Sequence, residues 1–299
     1  MPPARHRITP LRTGSFRLDG GGMFGLIPKT MWSQWTTPDA DNRIMLATRS
    51  LLVESARDGL VLVEAGYGDK WTDKERAMYA LERRTAVDAL WEVGVDRRDI
   101  AHVVVTHLHF DHAGGLTRGG DGGPIPTFPR ARIHVQRTEW HDALANKSTM
   151  TRTYLRTHLD PISAQIELHD GECEPLAGFT LLPAAGHTWG HQSVLVEGTS
   201  SVGGTAPHLF AGDACPTIHH AHPAASLGYD MMAYEAMCTK LALLGRAERE
   251  GWTIALDHDA EHALVRTMRS ESREGDARLS LVAVDGRGGD LGGDLGGAR

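Results

Sequence analysis

The feature that most constrains this chain is a junction. Ile100 to Thr106 carries the β-branched run Val103-Val104-Val105, which reads as a strand covered on both faces, and it leads straight into His107-Leu108-His109-Phe110-Asp111-His112. Four side chains with imidazole nitrogen or carboxylate oxygen fall within six residues. Those are the donors that Zn²⁺ and similar divalent ions favour. The plainer reading is solvated histidines on a polar loop, and the total of 17 histidines decides nothing by itself, because histidine also serves as a proton carrier or a buried polar group.

Composition narrows the setting. The chain has 299 residues, is 41% hydrophobic and carries a formal net charge of -7. It has no strong positive field to attract nucleic acid or anionic lipid. Cys173, Cys215 and Cys238 are an odd number without paired spacing, which argues against a disulfide framework and a cysteine zinc knuckle. Met1 to Arg7 is basic but leads into no apolar core of signal-peptide length, and no stretch reaches membrane-span length. The expectation is a cytoplasmic protein that meets neither membrane nor nucleic acid.

Along the chain, a polar, glycine-broken opening precedes strand-like Arg43 to Glu54 and Leu60 to Glu64, joined by the turn Ala56-Arg57-Asp58-Gly59. Thr72 to Trp91 has apolar residues at helical spacing, and Gly94 follows as a stop. The second half repeats the pattern. Strands are expected at Arg132 to Gln136, Phe179 to Pro183, Gln192 to Glu197, His208 to Ala211, Trp252 to Leu256 and near Leu279 to Val284. Helices are expected at Thr138 to Asn146 and about Met232 to Glu250. This order suggests an α/β fold of four layers, αββα, with two packed mixed sheets between outer helices. Residues 1–285 read as one such domain with an N-terminal arm, and glycine-dominated 286–299 as a flexible tail.

Three later positions stand at strand ends, where sites in α/β folds collect: His187 in Ala185-Gly186-His187-Thr188, Asp213 in Ala211-Gly212-Asp213-Ala214, and His258 in Leu256-Asp257-His258-Asp259. Singly, each would more often be a hydrogen-bonded structural residue. Together with the His107–His112 run, in this order, they resemble the metallo-β-lactamase superfamily. The resemblance spans roughly residues 10–270 and implies two divalent metal ions, zinc first, with iron, manganese or cobalt also compatible. One ion would be held by His107, His109 and His187, the second by Asp111, His112 and His258, with Asp213 bridging both. It implies hydrolysis by a metal-bridging hydroxide, with Asp111 or Asp213 relaying a proton. The di-iron redox branch typically has a carboxylate where this chain has His109. Cys215 is available as a nucleophile, but a small buried hydrophobe is the better reading.

Two flanking segments resemble the branch that holds quorum-quenching N-acyl-homoserine lactonases and methyl-parathion-hydrolase-type phosphotriesterases. They are Gly22-Met23-Phe24-Gly25-Leu26-Ile27-Pro28-Lys29 with Trp32, and Gly212 to Thr217 continuing to His220-Ala221-His222-Pro223 and Tyr229-Asp230. Met23, Phe24 and Trp32 either wall an acyl pocket or cover the sheet edge. His220, His222 and Tyr229 are candidate substrate contacts, with solvated loop positions as the alternative for the two histidines. Asp259 or Asp257 could orient His258. Pro216 departs from the lactonase pattern, which often has a tyrosine there. The expected activity is opening of N-acyl-homoserine or related lactones. Its rivals are phosphotriester hydrolysis and a metal-stabilised binder that holds an acyl ligand unchanged. A homodimer through the Met23 to Trp35 segment is compatible with the resemblance.

Overall fold

The structure is a computed structural model that describes residues 6–150, 153–271 and 277–284. The segment 286–299, expected to be a glycine-rich tail, lies outside the described residues. Fifteen strands occur among those described: β1 (His6–Asp19), β2 (Arg43–Ser55), β3 (Gly59–Val63), β4 (Ile100–Val104), β5 (Thr117–Arg118), β6 (Ile125–Pro126), β7 (Arg132–Gln136), β8 (Ile166–His169), β9 (Cys173–Leu176), β10 (Phe179–Pro183), β11 (Gln192–Ser200), β12 (Gly204–Phe210), β13 (Thr253–Ala255), β14 (Leu264–Glu271) and β15 (Ala277–Ala283). The helices are α1 (Gly20–Phe24), α2 (Lys29–Trp32), α3 (Asp73–Tyr79), α4 (Ala86–Glu92), α5 (Phe110–Ala113), α6 (Arg137–Leu144), α7 (Arg156–Leu159) and α8 (Ala233–Glu250). None is long and apolar enough to cross a membrane.

Strand alternation builds the four layers. On one face of the strands, Ile8, Leu51, Val53, Val61, Val63 and Val104 pack against Phe179, Leu181, Val194, Val196, Phe210 and Ala255, which makes the sheet-on-sheet interior. The neighbouring residues point the other way. Leu52, Leu62 and Val103 pack on Ala89 and Leu90 of α4 and Trp140 of α6, while Leu209, Ile254 and Val265 pack on Leu244 and Ala247 of α8. The two sheets are joined in one ladder, β15-β14-β13-β12-β11-β1-β2-β3-β4-β7-β8, so the ladder doubles back to bring its inner faces together.

Two expectations are corrected. The opening is no arm: β1 lies in the middle of the ladder, antiparallel to β2 from Arg7↔Glu54 to Asp19↔Arg43 and parallel to β11. A bulge between Arg12 and Gly14 shifts the register, so the apolar alternation changes phase within the strand. The single helix expected over Thr72 to Trp91 is two. Thr72 with Glu75 closes one capping box and Thr85 with Asp88 opens another, and between them Ala80 takes the left-handed conformation at φ 47°.

On the strands near the outer end of the ladder, three imidazoles form a row. His102 Nδ1 lies 2.9 Å from His134 Nε2, and His134 Nδ1 lies 2.9 Å from His169 Nε2. Burial pushes the central His134 down to about 3, with His102, His169 and Arg132 acting in the same direction. A base with a folded pKa below its unfolded value of about 6.5 binds more protons unfolded, so stability is lost as pH falls from about 6.5 towards 3. Replacing His134 by glutamine should therefore flatten the acid limb of a stability-against-pH curve over that window by up to about 1.4 kcal/mol per pH unit. Urea titrations at stepped pH check this. An unchanged acid slope in H134Q would mean that His134 does not carry the acid loss.

Candidate metal centre

The ligands arrive from both halves of the ladder, each just past a strand: His107 to His112 after β4, His187 after β10, Asp213 after β12 and His258 after β13. Their donors converge as two groups that share Asp213. In the first, His187 Nε2 lies 2.9 Å from His109 Nδ1 and 3.0 Å from Asp213 Oδ2, and His107 Nε2 lies 3.8 Å from the same oxygen. In the second, His258 Nε2 lies 3.2 Å from His112 Nε2 and 3.3 Å from Asp213 Oδ1, which is 3.7 Å from His112 Nε2. Asp111 borders this group, 3.5 Å from His258 Nε2 and 3.9 Å from His112 Nε2. The four donors that close the second group are His112, Asp213, Asp257 and His258.

The residues fit metal ions. His107 Nε2 and Asp213 Oδ1 are buried without a hydrogen-bond partner, and orphaned buried polar atoms are rare in native proteins unless something else satisfies them. Burial drives His107 and His109 well below the ordinary histidine value, helped by neighbouring histidines, so both are neutral as ligands must be. Burial opposes charge on His258 too, yet Asp257 and Asp213 raise it to about 9; His112 is also raised well above the ordinary histidine value, against its burial, by Asp111 and Asp213. This pocket of carboxylates calls for positive charge, and divalent cations would supply it.

Further residues fix the ligands. His187 Nδ1 pairs with Asp230 Oδ1 at 2.9 Å, and Asp230 Oδ2 also accepts the Leu227 N–H. His258 Nδ1 lies 2.8 Å from the Ala47 carbonyl, and His112 Nδ1 lies 3.3 Å from Glu64 Oε2. Glu139, fully buried on α6, accepts from Leu108 N–H, the Tyr154 hydroxyl and the Thr188 hydroxyl, tying both ligand loops to one carboxylate. Replacing Asp230 by alanine frees the His187 ring and should weaken metal retention about 10- to 100-fold. A metal-indicator titration reads it, and wild-type affinity in D230A would show that the contact does not tune the ligand.

The other sequence candidates divide. Met23, Phe24 and Trp32 are buried in a cluster with Phe16, Ile44, Leu46 and Tyr67, and Phe24 stacks between Trp32 and His220. They pack the N-terminal segment onto the sheet rather than lie open as a wall. Both His220 ring nitrogens are engaged, with Thr217 Oγ1 and the Met23 carbonyl at 2.8 Å each. His222 is exposed, its Nδ1 accepting from Ala224 N–H. Tyr229 packs against the N-terminal helix α1. Its hydroxyl approaches so close to Gly22 that a Cβ there would lie 2.1 Å from it. Burial, with Asp19, Asp111 and Tyr79 adding, pushes this phenol up to about 12, so it keeps its proton. Asp259 does not orient His258: its carboxylate accepts from Ile218, Glu261 and His262 N–H groups. Cys215 is buried and raised to about 12 by that burial, which leaves it a core residue. Glu64 and Glu139 carried no signal of a site role in the sequence alone, being isolated acids outside the His107–His112 run, while Asp230 stood only within a segment of resemblance and Asp257 only as a residue that could orient His258.

Comparisons with known proteins agree with this geometry. A described probable metallo-hydrolase of Mycobacterium tuberculosis is 31% identical over 176 residues, 52% of this chain and 54% of its own length. The N-acyl homoserine lactonase AiiA of Bacillus thuringiensis subsp. kurstaki is 33% identical over 135 residues, 45% of this chain and 44% of its own. The chain thus spans about half the length of the curated relatives it matches. Among solved structures, a probable metal-dependent hydrolase from Staphylococcus aureus superposes with TM-score 0.80 at 27% identity, covering 95% of this chain and 98% of that one. The dizinc quorum-quenching lactonase AidC, in complex with a product N-hexanoyl-L-homoserine, shares the fold with TM-score 0.73 at 18% identity, covering 95% and 96%. The profile of the metallo-beta-lactamase superfamily matches residues 45–237, and with the ligand set in place the chain belongs to that superfamily.

Proposed function

We propose that the protein is a dinuclear metal-dependent hydrolase that opens N-acyl-homoserine or related lactones. The observation that carries the reading is the sharing of Asp213 between two groups of buried imidazole and carboxylate donors. Two divalent ions held there would lower the pKa of a water molecule and polarise the carbonyl that it attacks. His107, His109 and His187 would hold one ion and His112, His258 and Asp111 the other, while Asp213 spans them. Asp111, at the edge of the second group, would take a proton from the attacking water and return it to the leaving alkoxide.

Two features favour lactones. Relatives named N-acyl homoserine lactonase match about half of the chain. The second is Tyr229, whose buried phenol keeps its proton and would supply to the substrate carbonyl the donor that Pro216, in the lining of the small cavity beside Asp213, lacks. Replacing Tyr229 by phenylalanine should lower kcat about 100-fold with metal content unchanged; kcat within twofold of wild type would remove Tyr229 from that role.

The decisive experiment loads the protein with metal and follows acid release from acyl-homoserine lactones of several chain lengths, beside simple lactones and an organophosphate triester. Turnover of a lactone is expected. Turnover of the triester alone would make the protein a phosphotriesterase, and recovery of every ligand unchanged would leave a binder.

A further inference from the structure

We propose that Asp257 is a direct ligand of the second metal position and makes that position selective for a harder, higher-coordinate ion, Mn²⁺ or Fe²⁺ over Zn²⁺. The inference rests on the two-metal reading above, but the resemblance gives position 257 no ligand role. Asp257 is 1% exposed, and neither of its carboxylate oxygens has a hydrogen-bond partner. A buried carboxylate with no donor is costly, and a cation facing it would remove that cost.

The neighbours leave that place to a metal. Asp257 Oδ2 lies 3.7 Å from His258 Nε2, the nitrogen turned to the second group, and 3.6 Å from His112 Nδ1. His112 Nδ1 has one proton to give in that direction, and Glu64 Oε2 is nearer at 3.3 Å. The buried Arg49 guanidinium turns Nη1 to the carbonyls of Leu256 and Asp259 and makes no hydrogen bond to Asp257. Asp257 closes a donor group with His112, Asp213 and His258, and Asp111 stands at its edge.

The two positions therefore differ in chemistry. The first offers three imidazoles and one carboxylate, a set and number that suit tetrahedral Zn²⁺. The second offers two imidazoles and up to three carboxylates, which suits ions that accept more oxygen ligands. The charge also fits. Glu64, Asp111, Asp213 and Asp257 bring four formal negative charges around His112, and two divalent cations would offset them.

The test strips the full-length protein of metal, adds one equivalent of Zn²⁺ and then one of Mn²⁺, and desalts it. Bound metal is counted by elemental analysis, and Mn²⁺ binding is followed by electron paramagnetic resonance. Wild type should keep one ion of each kind. D257N should keep Zn²⁺ and lose at least about tenfold in Mn²⁺ affinity, D257E should recover part of that loss, and E64Q should change Mn²⁺ affinity less than D257N does. Melting curves of the Zn²⁺-loaded variants show that each is folded, and if D257N is not, the comparison of D257E with E64Q decides in the same sense. Mn²⁺ binding by D257N equal to wild type overturns the assignment, and so does an equal loss in E64Q, which would make Asp257 a partner of the His112 ring. Wild type that keeps two Zn²⁺ ions against added Mn²⁺ overturns the selectivity. Lactone turnover is scored separately: protein that holds both ions and opens no lactone overturns the functional reading and leaves the ligand assignment standing.

Discussion

Removal of divalent metal by a chelator is expected to abolish ester hydrolysis and to lower the melting temperature by on the order of 10 °C or more. Metal bound only to the folded state stabilises it by RT ln(1 + [M]/Kd), about 4 kcal/mol when free metal stands at a thousand times Kd. A protein of this size shifts by roughly 2–4 °C per kcal/mol. The loss comes from the site itself. Without cations, Asp213 and Asp257 are left as buried carboxylates whose unpartnered oxygens meet only the His112 and His258 imidazoles, at 3.3 to 3.7 Å and without a hydrogen bond, an arrangement that is costly unless they are paired. Calorimetry with chelator, and again after metal is restored, measures the shift. A melting temperature indifferent to chelator would contradict the assignment of these residues as metal ligands.

Replacement of Glu139 by alanine is expected to cost about 3–5 kcal/mol and to weaken metal retention about 10- to 100-fold, although Glu139 faces neither metal position. Its two oxygens accept from Leu108 N–H at 2.9 Å, the Tyr154 hydroxyl at 3.0 Å and the Thr188 hydroxyl at 2.6 Å. Alanine would leave these donors unsatisfied in a buried space, at about 1–3 kcal/mol each where no water enters. The effect on metal follows from position. Leu108 sits between ligands His107 and His109, and Thr188 follows ligand His187. Gly190 packs so closely on α6 that a Cβ would lie 2.2 Å from the Glu139 nitrogen, so this loop is seated on the same element. Denaturant titration and metal counting of E139A check both halves of the prediction. Wild-type stability in E139A would show that the carboxylate is not an anchor.

The residues that were legible in the sequence were those whose chemistry is concentrated. His107 to His112 announced itself by spacing, and His187, Asp213 and His258 by their places at strand ends. The anchors were illegible for the opposite reason. Glu139 and Asp230 are single acids without a second ligand-type residue beside them, and only the tertiary fold brings them to Thr188 and His187. The layered fold could be read from continuous apolar runs that suit strands covered on both faces, such as Leu51-Leu52-Val53, whereas β1 was hidden because its bulge breaks the pattern of its apolar positions. Trp32 and Phe24 show a third limit. Apolar residues between glycines and prolines fit a pocket wall and a packed cluster equally well, and only their neighbours, Phe16 and His220 among them, decide for the cluster.

The pairing of His6 with Gly198 joins residues roughly 190 positions apart in the chain. Contacts of such separation are slow to form, since a long stretch of chain must be closed before they return any stabilisation. During synthesis β1 therefore stays without its β11 partner until most of the polypeptide has been made, and His258 comes later still. The metal centre is thus among the last features to be assembled, and metal supplied to a nascent chain would find an incomplete ligand set until the final ligand has emerged.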